Sequence, residues 1–204
     1  LLLDTGFAHS HVLEAVRTVT NVPVRVLLTH GDPDHAGGLD AFAEAWLHEK
    51  DSLLSMAKQN SIYSGGGYLL LWELELQAIE IPGHTYGSVA FADFHKKVLF
   101  AGDSVQKDGP IYLFGNHRNL NLYIESQRKL EALAEKFDTI YPCHHACPVT
   151  PDYIGKNRLD AEALRAGSLP SEPTPGMPVA HIMGSGPNFI TQSRTAPDPA
   201  PAKK

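Results

Sequence analysis

Cysteine is almost missing from this chain. Cys143 and Cys147 are its only two in 204 residues, so no disulfide framework can hold the fold together. No apolar run is long enough to span a bilayer. No dense Lys/Arg cluster is present, and the net charge of −6 argues against a nucleic-acid surface and against phosphodiester substrates. No leader segment is visible, which points to the cytoplasm. The chain opens on Leu1 rather than Met, directly in a strand, so a natural N-terminus ahead of it is expected to be missing. What remains is ordinary: 43% hydrophobic and 20% charged residues suit one globular domain with a substantial core.

The informative stretch is Thr29-His30-Gly31-Asp32-Pro33-Asp34-His35-Ala36-Gly37-Gly38. Val24-Arg25-Val26-Leu27-Leu28 before it reads as a buried strand. After it, Leu39, Phe42, Ala43 and Trp46 recur at helical spacing, with an early change to an extended Ala45-Trp46-Leu47 as the competing pattern. Between them, His30, Asp32, Asp34 and His35 place two imidazoles and two carboxylates within six residues. Crowded together without a cation, such groups repel and desolvate one another. A metal site is the economical reading, and the neighbouring glycines let the backbone wrap closely around it.

Three later turns repeat the theme at the ends of apolar runs: Pro82-Gly83-His84-Thr85, then Phe100-Ala101-Gly102-Asp103-Ser104, then Ile140-Tyr141-Pro142-Cys143-His144. In this order, with His30-x-Asp32-x-Asp34-His35, they resemble the metallo-β-lactamase superfamily over roughly residues 1 to 150. One departure is clear: Asp32 stands where that family usually carries histidine. The resemblance implies an α/β fold, an αββα sandwich, here without its first strands. It implies a dinuclear site in which His30, Asp32 and His84 hold one ion, Asp34, His35 and His144 the other, and Asp103 bridges them. Two divalent ions about 3.5–4 Å apart can bridge a hydroxide and lower its pKa from about 15.7 toward about 7. The implied activity is attack on an ester, thioester, lactone or lactam carbonyl, with Asp34 orienting the water or serving the leaving group. The partner is a small-molecule substrate, with neither nucleic acid nor membrane, and a homodimer is the assembly to test. Alternatives stay open: a di-iron redox site resembling flavodiiron proteins, or a degenerate non-catalytic metal-binding module.

Asp32 is a harder donor than imidazole and adds a negative charge. Fe or Mn should therefore gain on Zn, and the optimum should move alkaline. His144 and His145 compete for the last ligand position, and the match to the family turn favours His144. Cys143-His144-His145-x-Cys147 could alternatively be a separate zinc knuckle, but a buried, apolar Cys147 is the preferred reading. His9, His11, His48, His95 and His181 read as surface or capping residues. Tyr112, Phe114, His117 and Arg118 lie in a Gly/Pro/aromatic stretch from Gln106 to Asn121 that reads as an irregular loop, with Arg118 free to pair with a substrate carboxylate.

The remaining pattern predicts helices over His9–Val19, from Asp51 through Leu53, Leu54 and Ala57, from Tyr123 to Ala134, and over Tyr153–Ala166 ending at Gly167. Strands are expected at Leu1–Leu3, Tyr68–Trp72, Leu74–Ile79, Val89–Phe91, Val98–Phe100 and Phe137–Tyr141. Residues 1–168 form the catalytic domain in this reading. Residues 169–194 are a linker, including Ser171–Gly176, and an edge hairpin of Val179–Met183 and Asn188–Thr191. Residues 195–204 are a disordered tail.

Overall fold

The apolar run before the His/Asp hexad is a strand, buried on both sides, in a sheet whose other members are parallel to it. The computed structural model describes residues 1–52, 61–63, 67–71, 74–173, 179–182, 184 and 187–192. In chain order these form β1 (Leu2–Leu3), α1 (Val12–Val19), β2 (Val26–Leu27), α2 (Pro33–Ala36) and β3 (Ala45–His48). Then come β4 (Ser61–Tyr63), β5 (Gly67–Leu71), β6 (Leu74–Glu80), β7 (Val89–Asp93), β8 (Val98–Gly102) and β9 (Pro110–Leu113). The rest is α3 (Leu120–Glu131), β10 (Thr139–Pro142), α4 (Asp152–Ala166), β11 (Ser171–Pro173), β12 (Val179–Ile182) and β13 (Asn188–Gln192).

Two sheets face each other. The first, β1-β2-β3-β4, is parallel throughout. The second, β10-β8-β7-β6-β5, is antiparallel except for the β10–β8 pair. Side chains alternate across the second sheet as a pleated strand requires. Leu76, Ala78, Val89 and Phe91 turn toward Leu27 and the first sheet, with Leu3, Trp46 and Phe100 at the margin. Ile79, Ala90, Ala92, Leu99 and Ala101 turn the other way, onto Leu130 of α3 and Ile154 of α4. On the outer side of the first sheet, Val26, Leu28, Ala45 and Leu47 pack with Ala36 and Leu39. This is the αββα sandwich expected from the sequence.

Some local expectations are corrected. The helical spacing from Leu39 to Trp46 yields only a single 3-10 turn, Leu39–Ala41, and the competing extended reading of Ala45-Trp46-Leu47 is the one that forms, as β3. There Ala45 and Trp46 pair with Val26 and Leu27, so strand pairing overrides the helical pattern. The stretch read as an irregular loop contains β9, whose partner β13 arrives from the far end of the chain. Such a non-local partner leaves no trace in local periodicity. The expected hairpin is present as β12–β13, and Ser171–Pro173, within the stretch read as linker, adds β11 to it. These strands and β9 make a third sheet, β11-β12-β13-β9, which packs Ile111 and Phe189 against Tyr123 of α3 and Ala161 of α4. The helix expected through Leu53, Leu54 and Ala57 and the tail 195–204 lie outside the described residues.

Asp51, read as the cap of that helix, holds two loops together. It is fully buried and its carboxylate accepts from the Gly31 amide (3.0 Å), the Gly87 amide (2.7 Å) and the Thr85 hydroxyl (2.5 Å). It therefore ties the loop after β2 to the loop between β6 and β7. Gly83 in the second loop has φ 144, and a Cβ there would lie 2.3 Å from the Tyr123 Cα, so only glycine lets α3 approach this turn. Asp51→Ala would strand two buried amides, of Gly31 and Gly87, while the Thr85 hydroxyl keeps Ser88 at 2.8 Å. The expected cost is about 3 kcal/mol, or roughly 10 °C in Tm, readable by thermal unfolding. A loss of under about 2 °C would show that the tie is not structural.

Candidate metal centre

Every residue of the proposed ligand set sits just past the end of a strand. Thr29 and His30 follow β2, with Asp34 and His35 on α2, whose first residue Pro33 fixes the φ that the turn needs. His84 follows β6, Asp103 follows β8 and His144 follows β10. Ligands gathering outside the carboxyl ends of strands is general in open α/β sheets. The loop after Asp103 is clamped from behind. The Tyr123 hydroxyl (2.8 Å) and the Gln127 side-chain amide (2.6 Å) donate to the Ser104 carbonyl, and Asn157 exchanges two hydrogen bonds with the Gln106 backbone.

The side chains converge as two groups. His30, Asp32 and His84 have donor atoms within 4.8 Å of one another, and so do Asp34, His35, Asp103 and His144. In the first, His30 Nε2 lies 3.2 Å from His84 Nε2, and Asp32 Oδ2 is 3.4 Å from each. In the second, His144 Nε2 lies 3.1 Å from His35 Nε2 and 3.2 Å from Asp34 Oδ2. Three donors each about 2.0–2.1 Å from one ion in a tetrahedron stand roughly 3.3–3.4 Å apart, so both groups fit a divalent ion. Asp103 touches both: Oδ1 is 3.3 Å from His35, and Oδ2 is 3.3 Å from His144 and 3.5 Å from His84. Its Oδ1, though buried, has no hydrogen-bond partner among the described residues, which also fits a ligand oxygen.

The imidazoles are oriented from outside. Asp4, just past the end of β1, is the main anchor. His35 Nδ1 donates to Asp4 Oδ2 (2.9 Å), while the Thr29 amide (2.7 Å) and hydroxyl (2.8 Å) also donate to Asp4. Because the Thr29 proton goes to Asp4, Thr29 Oγ1 accepts from His30 Nδ1 at 3.0 Å. His84 Nδ1 donates to the Tyr112 carbonyl at 3.1 Å. Three histidines thus carry their proton on Nδ1 and turn Nε2 inward, the tautomer a metal needs. The only sequence signal for Asp4 was its place in an Asp-Thr-Gly turn after a strand.

Charges follow from this crowding. Burial alone would raise the carboxyl of Asp103, but the surrounding imidazoles outweigh it and hold Asp103 well below the usual carboxylate range. Asp103 and Asp34 beside His144 push its pKa up to about 9. Burial works against a charged His35, yet Asp103 and Asp4 prevail and raise it. In His84 burial wins, and its pKa falls to about 4.

The other candidates separate cleanly. His144 enters the donor group, whereas His145 has its ring against Gly109, where an added Cβ would meet it at 2.1 Å. No separate knuckle assembles among the described residues: Cys143 Sγ reaches Asp4 (3.2 Å), and Cys147 is exposed, not buried as expected. His48 is buried and takes the capping role of the two expected: its Nδ1 accepts from the Lys50 amide at the start of the 3-10 turn Glu49–Asp51, and its Nε2 lies 3.2 Å from Glu80. His9, His11 and His95 are exposed. Arg118 is not free for a substrate carboxylate: its guanidinium pairs with Asp32 and donates to the His84 carbonyl at 2.5 Å. That pairing offsets the charge on which the expected alkaline shift rested. A cavity of about 350 Å³ opens over both groups, walled by Phe7, Pro110, Tyr112 and His145.

Two outcomes follow. Asp4→Asn should weaken metal binding about 10–100-fold, measured by competition with a chelator, because it loosens two imidazoles at once. At pH 7 His144 is protonated without metal, since its raised pKa of about 9 keeps the proton below that pH. Metal binding should therefore expel about one proton from His144, a release that fades as pH rises through about 9. Calorimetry in buffers of different ionisation enthalpy would detect it, and buffer-independent heats at pH 7 would contradict it.

Comparison with known proteins identifies the family. A family model described as the metallo-beta-lactamase superfamily matches residues 1–50. A hydroxyacylglutathione hydrolase from Xanthomonas axonopodis pv. citri is 37% identical over 190 residues, covering 85% of this chain and 71% of that protein. One from Pectobacterium carotovorum is 31% identical over 152 residues, 71% of this chain and 56% of the other, so the chain spans little more than half of some relatives it matches. A metallo-beta-lactamase structure from Pontibacter korlensis superposes with a TM-score of 0.67 at 18% identity, over 78% of this chain and 80% of that one. The chain belongs to the metallo-β-lactamase superfamily.

Proposed function

We propose that this chain is a metal-dependent hydrolase of esters or thioesters, with hydroxyacylglutathione thioesters as the first substrates to test. The supporting observation is the joining of two donor groups through one buried carboxylate, Asp103, beneath an open cavity. His30, Asp32 and His84 would hold one ion, and Asp34, His35 and His144 the other, with Asp103 between them. Divalent ions there would polarise a carbonyl and supply water ionised near neutral pH. Asp32 adds a hard oxygen donor, so Fe or Mn should serve alongside Zn.

The chain's own residues do the rest. Phe7, Pro110 and Tyr112 offer an apolar wall for an acyl group, while the polar groups line the floor. Asp34 is the outer carboxylate, its side chain 27% exposed against 6% for Asp103. Beside His144 and with burial opposing, it is held ionised, so at neutral pH it starts as a proton acceptor. From that position it can take a proton from attacking water and pass it to the leaving sulfur or oxygen. The relatives named for a glutathione thioester make the sulfur leaving group the first choice.

The test is a panel of thioester, lactone and phosphodiester substrates with metal-loaded protein. Thioester release is expected, and no turnover on the panel by protein holding two ions would favour a binding module instead. His84→Ala or Asp103→Ala should lower turnover at least about a hundredfold, the scale set by removing one charge-stabilising group. Both lie in turns beyond the core, so circular dichroism should stay unchanged. Wild-type turnover with unchanged metal content would remove them from the ligand set.

A further inference from the structure

Arg118 is built into the donor set. Its side chain is only 10% exposed, and one nitrogen pairs with Asp32 Oδ2, the same oxygen that faces His30 and His84. Its other terminal nitrogen holds the His84 carbonyl. The backbone fixes it as well: the Arg118 amide donates to the Gly115 carbonyl, and Asn119 both bonds the Gly83 carbonyl and caps α3. A guanidinium held at both ends cannot swing away.

The two halves therefore differ in charge. The His30/Asp32/His84 group carries one carboxylate, cancelled by Arg118. The other group carries Asp34, with Asp4 behind His35 and no cation of its own beside them among the described residues, while Asp103 is shared between the halves. We propose that Arg118 is a fixed counter-cation for Asp32, which makes the first half-site the weaker one, so that a divalent ion fills the Asp34/His35/Asp103/His144 half first. The pair also stands in for a neutral ligand: Asp32 supplies the oxygen and Arg118 removes its charge. Asp32 and Arg118 are thus one functional unit drawn from two loops. This rests on the two-metal reading above.

The test is titration of chelator-treated protein with Co(II), followed by visible absorption and calorimetry. Wild-type protein should bind two ions with distinct constants. Arg118→Gln should tighten the weaker constant at least about tenfold by removing a unit charge a few ångströms away, and leave the tighter one unchanged. Asp32→His leaves Arg118 unopposed, so the weaker constant should weaken about tenfold; adding Arg118→Gln should reverse that loss. An unchanged or weakened constant in folded Arg118→Gln would reduce Arg118 to a structural prop and overturn the proposal. If that variant does not fold, Asp32→His decides alone, because a histidine that merely completes a three-imidazole site would tighten binding. Wild-type protein that binds no ion would instead overturn the metal-hydrolase reading itself.

Discussion

The Asp4 carboxylate is the point on which the site depends. It is buried at the end of the first strand and receives hydrogen bonds from the Thr29 amide and hydroxyl, His35 Nδ1 and Cys143 Sγ. Burial by itself would push a proton onto it; His35 and Thr29 outweigh that and keep it ionised. Through Thr29 it also sets the tautomer of His30. One anion behind the donor set thus aims two imidazoles.

Holding three further carboxylates nearby is an electrostatic problem that the surrounding loops answer. Asp103 and Asp34 share the proton-rich imidazoles of His35 and His144, and Asp32 has Arg118. Rigidity comes from elsewhere in the fold. Asp51 locks two ligand loops together, while Tyr123, Gln127 and Asn157 fix the turn after Asp103. The helices α3 and α4 so act as a brace as well as a cover for the second sheet.

Asp32 shows how a substitution is read differently in sequence and in space. In sequence, aspartate for histidine looks like one extra negative charge and a harder site. In space the charge is matched by Arg118, 86 residues away along the chain, so what survives is the oxygen donor without the net charge. An alkaline shift no longer follows from Asp32 alone.

By itself the sequence made the ligand candidates legible, because these rest on local chemistry, and through their resemblance to a known family it implied the sandwich. Apolar runs of strand length end in turns that carry His or Asp, and that pattern is visible in short windows at His30–His35, His84, Asp103 and His144. Only the tertiary structure decided the rest. That the His145 ring lies against Gly109 while His144 faces the other donors is a contact no local pattern shows. The strand at Pro110–Leu113 exists because β13 returns to pair with it, and the tie at Asp51 exists because two loops meet there. Each of these is a contact between residues far apart in the chain, and a local pattern holds no record of the partner that will satisfy a buried charge or an open backbone edge.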